Sequence, residues 1–358
     1  MAIEGLALGL RRLGHEVALR PLRLRTGFHT LDRWLYNAGV LLRPPAGADL
    51  VLGIDLDGFL WARRRAVPFV ASLKGIIADE LENERGWVRL LLAIQARWER
   101  RNVARADLVM VTSRYSAEVA RREYGVPPAR VAVVPEIIDL EAWEACFARA
   151  PRRPRARPTV LCVARMYPRK RIADLLRAGA VLRARIPEVQ IHIIGQGPEW
   201  PAVRSLHEDL GLSDTVVLLG DVSRDRLAEE YINADCFCLP SVQEGFGIVF
   251  LEAMAAGLPV VACRAAAVPE VVLEGRTGLL IPPRDPQALA AALEQVLRHP
   301  MLGKELGEAG RRAVAGFTPA RVAQRFLDTV RSVARGPISR GAGRAGSPGG
   351  PEAEERRQ

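Results

Sequence analysis

The 358-residue chain lacks the ingredients of an exported or metal-built scaffold. Its five cysteines are an odd number, and Cys162, Cys236, Cys238 and Cys263 fall in or beside apolar runs that read as buried strands. A disulfide framework is therefore not expected, and a reducing cytosol is. Cys236-x-Cys238 lacks metal-ligand spacing and the five histidines are scattered, so no metal is expected. Aromatic residues make up only 6%, with no recognised nucleic-acid motif, which argues against a nucleic-acid partner. No apolar run approaches the roughly 20 residues that span a bilayer, and no basic segment leads into an apolar core at the N-terminus. What remains is 49% hydrophobic and 26% charged residues, ordinary for a globular chain long enough for two cores.

The net charge of +10 is uneven: +4 over residues 1–150, +4 over 151–157, −1 over 158–330 and +3 in the tail. Either these are solvated basic segments or they attract an anionic membrane surface, at about 1 kcal/mol per basic residue near it.

Residues 1–13 carry a helical apolar face on Ile3, Leu6, Leu10 and Leu13. Strands are expected at 16–19, 49–54, 68–73, 106–111 and 130–134, with helices at 57–65, 87–105 and 114–124, the last capped by Ser113 and stopped by Gly125. A doubly wound domain begins with a strand and a glycine-rich turn, whereas this chain enters one element late. The expectation is that this strand lies upstream of Met1 or is missing from residues 1–150. Residues 151–158 are a proline-rich basic linker.

Beyond the linker, strands at 159–164, 189–194, 215–219, 236–239, 259–263 and 278–281 alternate with helices at 171–185, 199–210, 224–233, 248–256, 268–274 and 285–297. Strict alternation predicts an α/β fold with a parallel sheet covered on both faces. The expected division is 1–150, the linker, 159–312, a helical segment within 313–335 (helix at 320–333), and a disordered tail at 336–358.

The stretch Ser241-Val-Gln-Glu244-Gly245-Phe246-Gly247-Ile248-Val249-Phe-Leu-Glu252-Ala-Met-Ala-Ala-Gly257 reads as a strand end, a tight loop and a helix apolar almost all round. Glu252 is its exception. A carboxylate buried there costs several kcal/mol, about 2 to 7, unless hydroxyls or cations meet it. Gly245 and Gly247 permit close backbone approach, and the unpaired N–H groups of Gly247, Ile248 and Val249 at the helix start favour an anion. After the preceding strands come Arg165-Met-Tyr-Pro-Arg-Lys170, Gly195-Gln-Gly197-Pro and Gly220-Asp-Val222. Ligands of open α/β sheets bind at such strand ends. The third glycine of a dinucleotide fingerprint is absent.

The spacing Glu244-Gly-Phe-Gly-x4-Glu252-Ala, with Pro240-Ser241 before it and Pro259-Val-Val after it, resembles the donor-site signature of family 4 retaining glycosyltransferases. The likeness is strong over 159–297 and weaker before residue 151. It implies the GT-B fold, two Rossmann-like domains facing a cleft, the second binding a nucleotide-diphosphate sugar and the first presenting a glycan or lipid-linked acceptor. By that resemblance Arg165 and Lys170 clamp the diphosphate, Glu252 accepts from the ribose hydroxyls, and Glu244 lies by the transferred sugar. Gly195, Gly197, Val222 and the Gly245–Val249 loop line the donor, no cofactor is used, and the helix at 320–333 crosses back to the first domain. The implied role is metal-independent transfer with retention in cell-surface glycan, lipopolysaccharide or exopolysaccharide synthesis, in the cytoplasm and peripheral on the inner face of the membrane.

Departures from the pattern keep rivals open. Lys74-Gly75 stands where many relatives have His-Gly or His-Asp. Lys74 orients a phosphate or an anionic acceptor, or is a surface lysine. Asp79-Glu80-x-Glu82-x-Glu84 reads as a solvated charged segment, Arg169 and Arg171 as solvent-facing, His192 as a satisfied core residue, and Trp98 among Arg97, Arg100 and Arg101 as an interfacial or mixed surface helix. A non-catalytic nucleotide-sugar binder, a nucleotide-sugar 2-epimerase and a basic scaffold remain alternatives.

Overall fold

The computed structural model describes residues 2–333 apart from 23–25, 28, 44, 46, 64–66, 85, 154–156 and 332. The tail at 336–358 and part of the linker thus lie outside the described residues.

Two parallel sheets organise the chain. The first contains β1 (Val51–Ile54), β2 (Phe69–Leu73), β3 (Leu108–Val111) and β4 (Val131–Val133), paired in chain order. The second contains β5 (Thr159–Val163), β6 (Gln190–Ile194), β7 (Val216–Gly220), β8 (Cys236–Leu239), β9 (Val260–Cys263) and β10 (Gly278–Ile281), in the order β10-β9-β8-β5-β6-β7. The chain therefore starts in the middle at β5, runs outward to β7, and returns beside β5 as β8. The crevice between β5 and β8 is the topological switch point, where such sheets bind ligands.

The strands form because they are short apolar runs with helices on both faces, and β2, β3, β8 and β9 are buried along their whole length. Ser113 accepts from Ser116 N–H to cap the helix Arg114–Tyr124, and Gly125 ends it at φ 68°, as the sequence predicts. The helix Pro319–Val330 leaves the second domain and packs on Ala2–Arg12. There Gly9 comes so near the Pro319 carbonyl that an added Cβ would lie 2.3 Å from its oxygen. Its apolar side joins Leu10, Val70, Leu108 and Met110 in one cluster.

Some expected elements are absent. Residues 16–19 form no strand, and 57–65 hold only a single 3-10 turn at Trp61–Arg63, with 64 and 65 outside the described residues. Helices His29–Leu42, Leu140–Arg149 and Pro300–Val314 were not anticipated. The linker's ends are not simply solvated: Arg153 N–H donates to Asn233 at 2.7 Å and its guanidinium pairs with Glu229, while Arg157 donates to the Glu188 carbonyl at 2.7 Å.

Candidate active site

The helix Ile248–Ala255 leaves the switch-point loop with Phe250 through Ala255 buried. Its carboxylate at Glu252 finds the hydroxyl its burial demands, Tyr231 Oη, which donates at 3.0 Å. Burial outweighs that bond and pushes the Glu252 carboxyl up to about 7. Glu244, on the loop after β8, pairs with Lys170 from the end of β5 at 2.6 Å, with both side chains largely buried. The two residues on opposite sides of the switch point thus meet directly. Arg165 stays exposed and lies over the Tyr167 ring at 5.7 Å.

Gly195 and Gly197 make room for the protein's own backbone. A Cβ on Gly195 would sit 2.1 Å from the Ala164 carbonyl oxygen, and one on Gly197 would sit 2.7 Å from Met166 nitrogen, so both let β6 nest against the end of β5. Gly247 takes φ 91° at the helix start, and Ile248 and Val249 follow it partly exposed. Val222, also partly exposed, follows Gly220, whose φ is 65°. Phe246 is buried and meets Phe317 edge-on at 5.6 Å, anchoring the loop to the segment that crosses to the first domain.

Gly245 lies at a contact between the halves. A Cβ there would lie 2.7 Å from the Lys74 carbonyl oxygen. Its own carbonyl accepts from Thr112 Oγ1 at 2.8 Å and from Ser116 Oγ at 3.3 Å, both in the first domain. Gln243 donates to Asp79 at 2.9 Å, and Arg169 reaches Glu80 at 3.3 Å and Glu84 at 3.7 Å. The segment 79–84 is therefore not a solvated charge run, and Arg169 does not face solvent. Both are interdomain contacts, with Asp79 and Glu84 buried. Glu270 adds a cap across the boundary, accepting from Arg114 and Tyr115 N–H at 2.8 Å each.

On the first-domain side, Lys74 follows β2 and pairs with Glu136, which follows β4, at 3.1 Å. Asp55, after β1, accepts from Lys74 N–H at 2.9 Å and holds φ 54°, an uncommon conformation for a residue with a side chain. Arg33 pairs with Asp57 at 2.9 Å. Sequence reasoning missed Glu136, Asp55, Thr112 and Tyr231. Three of the four follow first-domain strands, where the strand-end rule would have found them. Tyr231 sits inside a helix and gives no local signal. His192 is satisfied by Glu230 at 2.6 Å, and Trp98 stacks on Phe59 at 5.5 Å. Among the described residues no group of histidine, cysteine and carboxylate side chains has metal-site geometry.

Residues 147–313 match the family model described as Glycosyl transferases group 1, and residues 2–142 match Glycosyltransferase Family 4. The chain is 34% identical over 253 residues to GDP-mannose-dependent alpha-(1-6)-phosphatidylinositol monomannoside mannosyltransferase of Mycolicibacterium smegmatis, covering 67% of this chain and 65% of that one. It is 32% identical over 282 residues to D-inositol 3-phosphate glycosyltransferase of Mycobacteroides abscessus, covering 76% and 62%. Each alignment spans less than two thirds of the relative. Sucrose-phosphate synthase from Thermosynechococcus elongatus superposes with a TM-score of 0.68 at 23% identity, over 89% of this chain and 81% of that one. Anabaena HepE, solved with UDP, superposes with a TM-score of 0.67 at 22% identity, over 82% and 81%.

The two facing parallel-sheet domains have the GT-B fold. The chain belongs to glycosyltransferase family 4, with the group 1 region forming its second domain.

Proposed function

We propose that the chain transfers a glycosyl group, with retention and without a metal, from a nucleotide-diphosphate sugar to a glycan or lipid-linked acceptor in cell-surface glycan synthesis. The observation that carries this is the Lys170–Glu244 pair at the switch point, directly behind a loop docked on the first domain. Charge grows on the diphosphate as the sugar bond breaks. Arg165, exposed over the Tyr167 ring, and Lys170, once released from Glu244, would be the cations that stabilise it. Glu252 would accept from the ribose hydroxyls, and Glu244 would exchange Lys170 for the transferred sugar. The relatives' names agree on glycosyl transfer but not on one acceptor, and they include GDP-mannose dependence.

A thermal-shift screen against UDP, GDP, ADP and their sugar conjugates, without metal, tests the donor half. A ligand at about 100 times its Kd adds roughly 2.7 kcal/mol. Stabilisation by one nucleotide series, lost in Glu252→Ala, is expected, together with donor hydrolysis. A cooperative melt unmoved by all of them would refute the donor site. Binding with neither hydrolysis nor transfer would favour a non-catalytic binder.

We further propose that the chain works peripherally on an anionic membrane, where a lipid-linked acceptor would lie. The helix His29–Leu42 turns Asp32 and Asn37 inward and exposes Leu31, Trp34 and Leu42. Trp87, Val88 and Leu90 are likewise exposed at the start of Gly86–Arg105, and Gln95 of that helix donates to Thr30 at 2.8 Å. The segments 20–43 and 85–105 carry net formal charges of +4 and +5. Exposed apolar groups among excess arginines match an anionic interface. Among the described residues no helix is long and apolar enough to cross a membrane. Cosedimentation with phosphatidylserine vesicles, weakened by salt and by Trp34→Ser with Leu42→Ser, is expected. Equal binding by the double variant would reject this face.

A further inference from the structure

We infer that Glu136 is a specificity-determining residue that makes the acceptor of this cleft an uncharged sugar or polyol, not a phosphorylated one. This rests on the proposed transfer reaction and adds the charge class of its second substrate.

Lys74 follows β2 with its carbonyl against Gly245, one residue from Glu244, so its side chain starts at the cleft beside the proposed site of transfer. A lysine in that place is the natural hook for an acceptor phosphate. Here the hook is occupied. Both carboxylate oxygens of Glu136 lie on the ammonium, at 3.1 and 3.2 Å, and Glu136 is 10% exposed against 28% for Lys74. A phosphate drawing Lys74 away would leave Glu136 behind as a nearly buried, unpaired charge, which is the strongly unfavourable half of breaking such a pair.

Among the described residues the other cations beside Lys74 are paired as well, Lys170 with Glu244 at 2.6 Å. Arg33 is committed to Asp57 at 2.9 Å, and Arg169 to Glu80 and Glu84. Asp55 lies beside them, holding the Lys74 amide and 3.9 Å from Arg33. Carboxylates outnumber cations around this mouth, so a phosphate monoester with its charge of about −1.5 to −2 would be repelled. Hydroxyls meet the opposite situation. The carboxylate oxygens of Asp55 and Glu136 have lone pairs left over, and a neutral ring bearing adjacent hydroxyls would donate to both without disturbing the Lys74–Glu136 pair. An acceptor with a phosphate only in a distant lipid anchor fits as well, because the charge that matters is at the reacting ring.

The test uses matched acceptors, inositol with inositol phosphate and methyl mannoside with mannose phosphate, offered with the donor that stabilises the chain. Relative kcat/KM for transfer is measured, or inhibition of donor hydrolysis where a compound is not glycosylated. The wild type should prefer the neutral member of each pair by about tenfold or more, the ratio that 1.4 kcal/mol represents. Glu136→Gln, which releases Lys74, should shift the ratio toward the phosphate ester by a similar factor with the donor KM unchanged. Adding Lys74→Gln should remove that gain, and Glu136→Asp should keep the wild-type preference. A wild type that prefers the ester, an unmoved ratio in Glu136→Gln, or donor hydrolysis that neither member inhibits or intercepts would overturn the inference. Loss of nucleotide stabilisation and of hydrolysis in the wild type would instead strike the donor site. Nucleotide-induced thermal stabilisation of each variant identifies any that fails to fold.

Discussion

Glu252 holds its charge at a cost, and ligand binding would remove that cost. Its carboxyl sits near 7 because burial disfavours the ionised form more than the Tyr231 hydroxyl favours it. Ribose hydroxyls donating to it would stabilise the carboxylate and lower its pKa, so nucleotide binding should release a proton around neutrality. Affinity should then rise as pH increases through about 7, by up to tenfold per unit below it. Calorimetry in buffers of different ionisation enthalpy checks this, and Glu252→Gln should show no linked proton. Tyr231→Phe removes the donor, should cost about 1–2 kcal/mol of stability, and should move the proton-linked window upward. Glu99 gives a stability counterpart. It is fully buried, accepts from Ile77 N–H at 2.9 Å and from Tyr124, and burial pushes its carboxyl up to about 8. The folded state therefore holds a proton that the unfolded chain releases near 4.5. Stability present below that value falls as pH rises, at most about 1.4 kcal/mol per unit, until it levels off above about 8. Denaturant melts across this range should be shallower in their pH dependence for Glu99→Gln.

At the scale of elements, the helix Pro300–Val314 shows why part of the fold is hidden from sequence. Gly303, Gly307 and Gly310, residues that lower helix propensity, line one face of a continuous helix. A Cβ on Gly307 would lie 2.0 Å from the Gly257 carbonyl oxygen, and one on Gly310 3.0 Å from Met254. Gly307 and Gly310 let this helix lie against Ile248–Ala255 and the turn at Gly257 that follows it. Gly307→Ala should accordingly cost about 1–3 kcal/mol or more through overpacking, seen as a lower melting temperature. The strands of the second sheet were legible because buried parallel strands are continuous apolar runs, and the helix at 248 was legible because Gly247 and Gly257 bracket it. Residues 16–19 alternate like a strand but find no partner strand, and periodicity alone does not supply one. In the site, spacing and resemblance single out Glu244, Lys170 and Glu252. They do not single out the partners of Glu252, Lys74 and Arg169, namely Tyr231, Glu136 and Glu80, because pairing between residues far apart in the chain leaves no local pattern. Glu270 is another such case: a carboxylate from the second domain caps a first-domain helix that Ser113 already serves. Glu270→Ala should cost about 1 kcal/mol and speed amide exchange at Arg114 and Tyr115.

Across the whole molecule, the two domains are joined by polar contacts concentrated on the loop that carries Glu244, with the helix Pro319–Val330 as a second connection. Arg169→Ala removes pairs with Glu80 and Glu84 while leaving Lys170 beside Glu244. Small-angle scattering should show a more open average shape, and the acceptor KM should rise more than the donor KM. The Gly245 carbonyl, gripped by the Thr112 and Ser116 hydroxyls, has a consequence in time. If the proposed nucleotide lies behind that loop, its departure would require both bonds to let go, and the latch, not the bond-making step, would then set the pace of the cycle. The first turnover should then outrun those that follow, turnover should slow in viscous solution, and Thr112→Val should erase the lag between them.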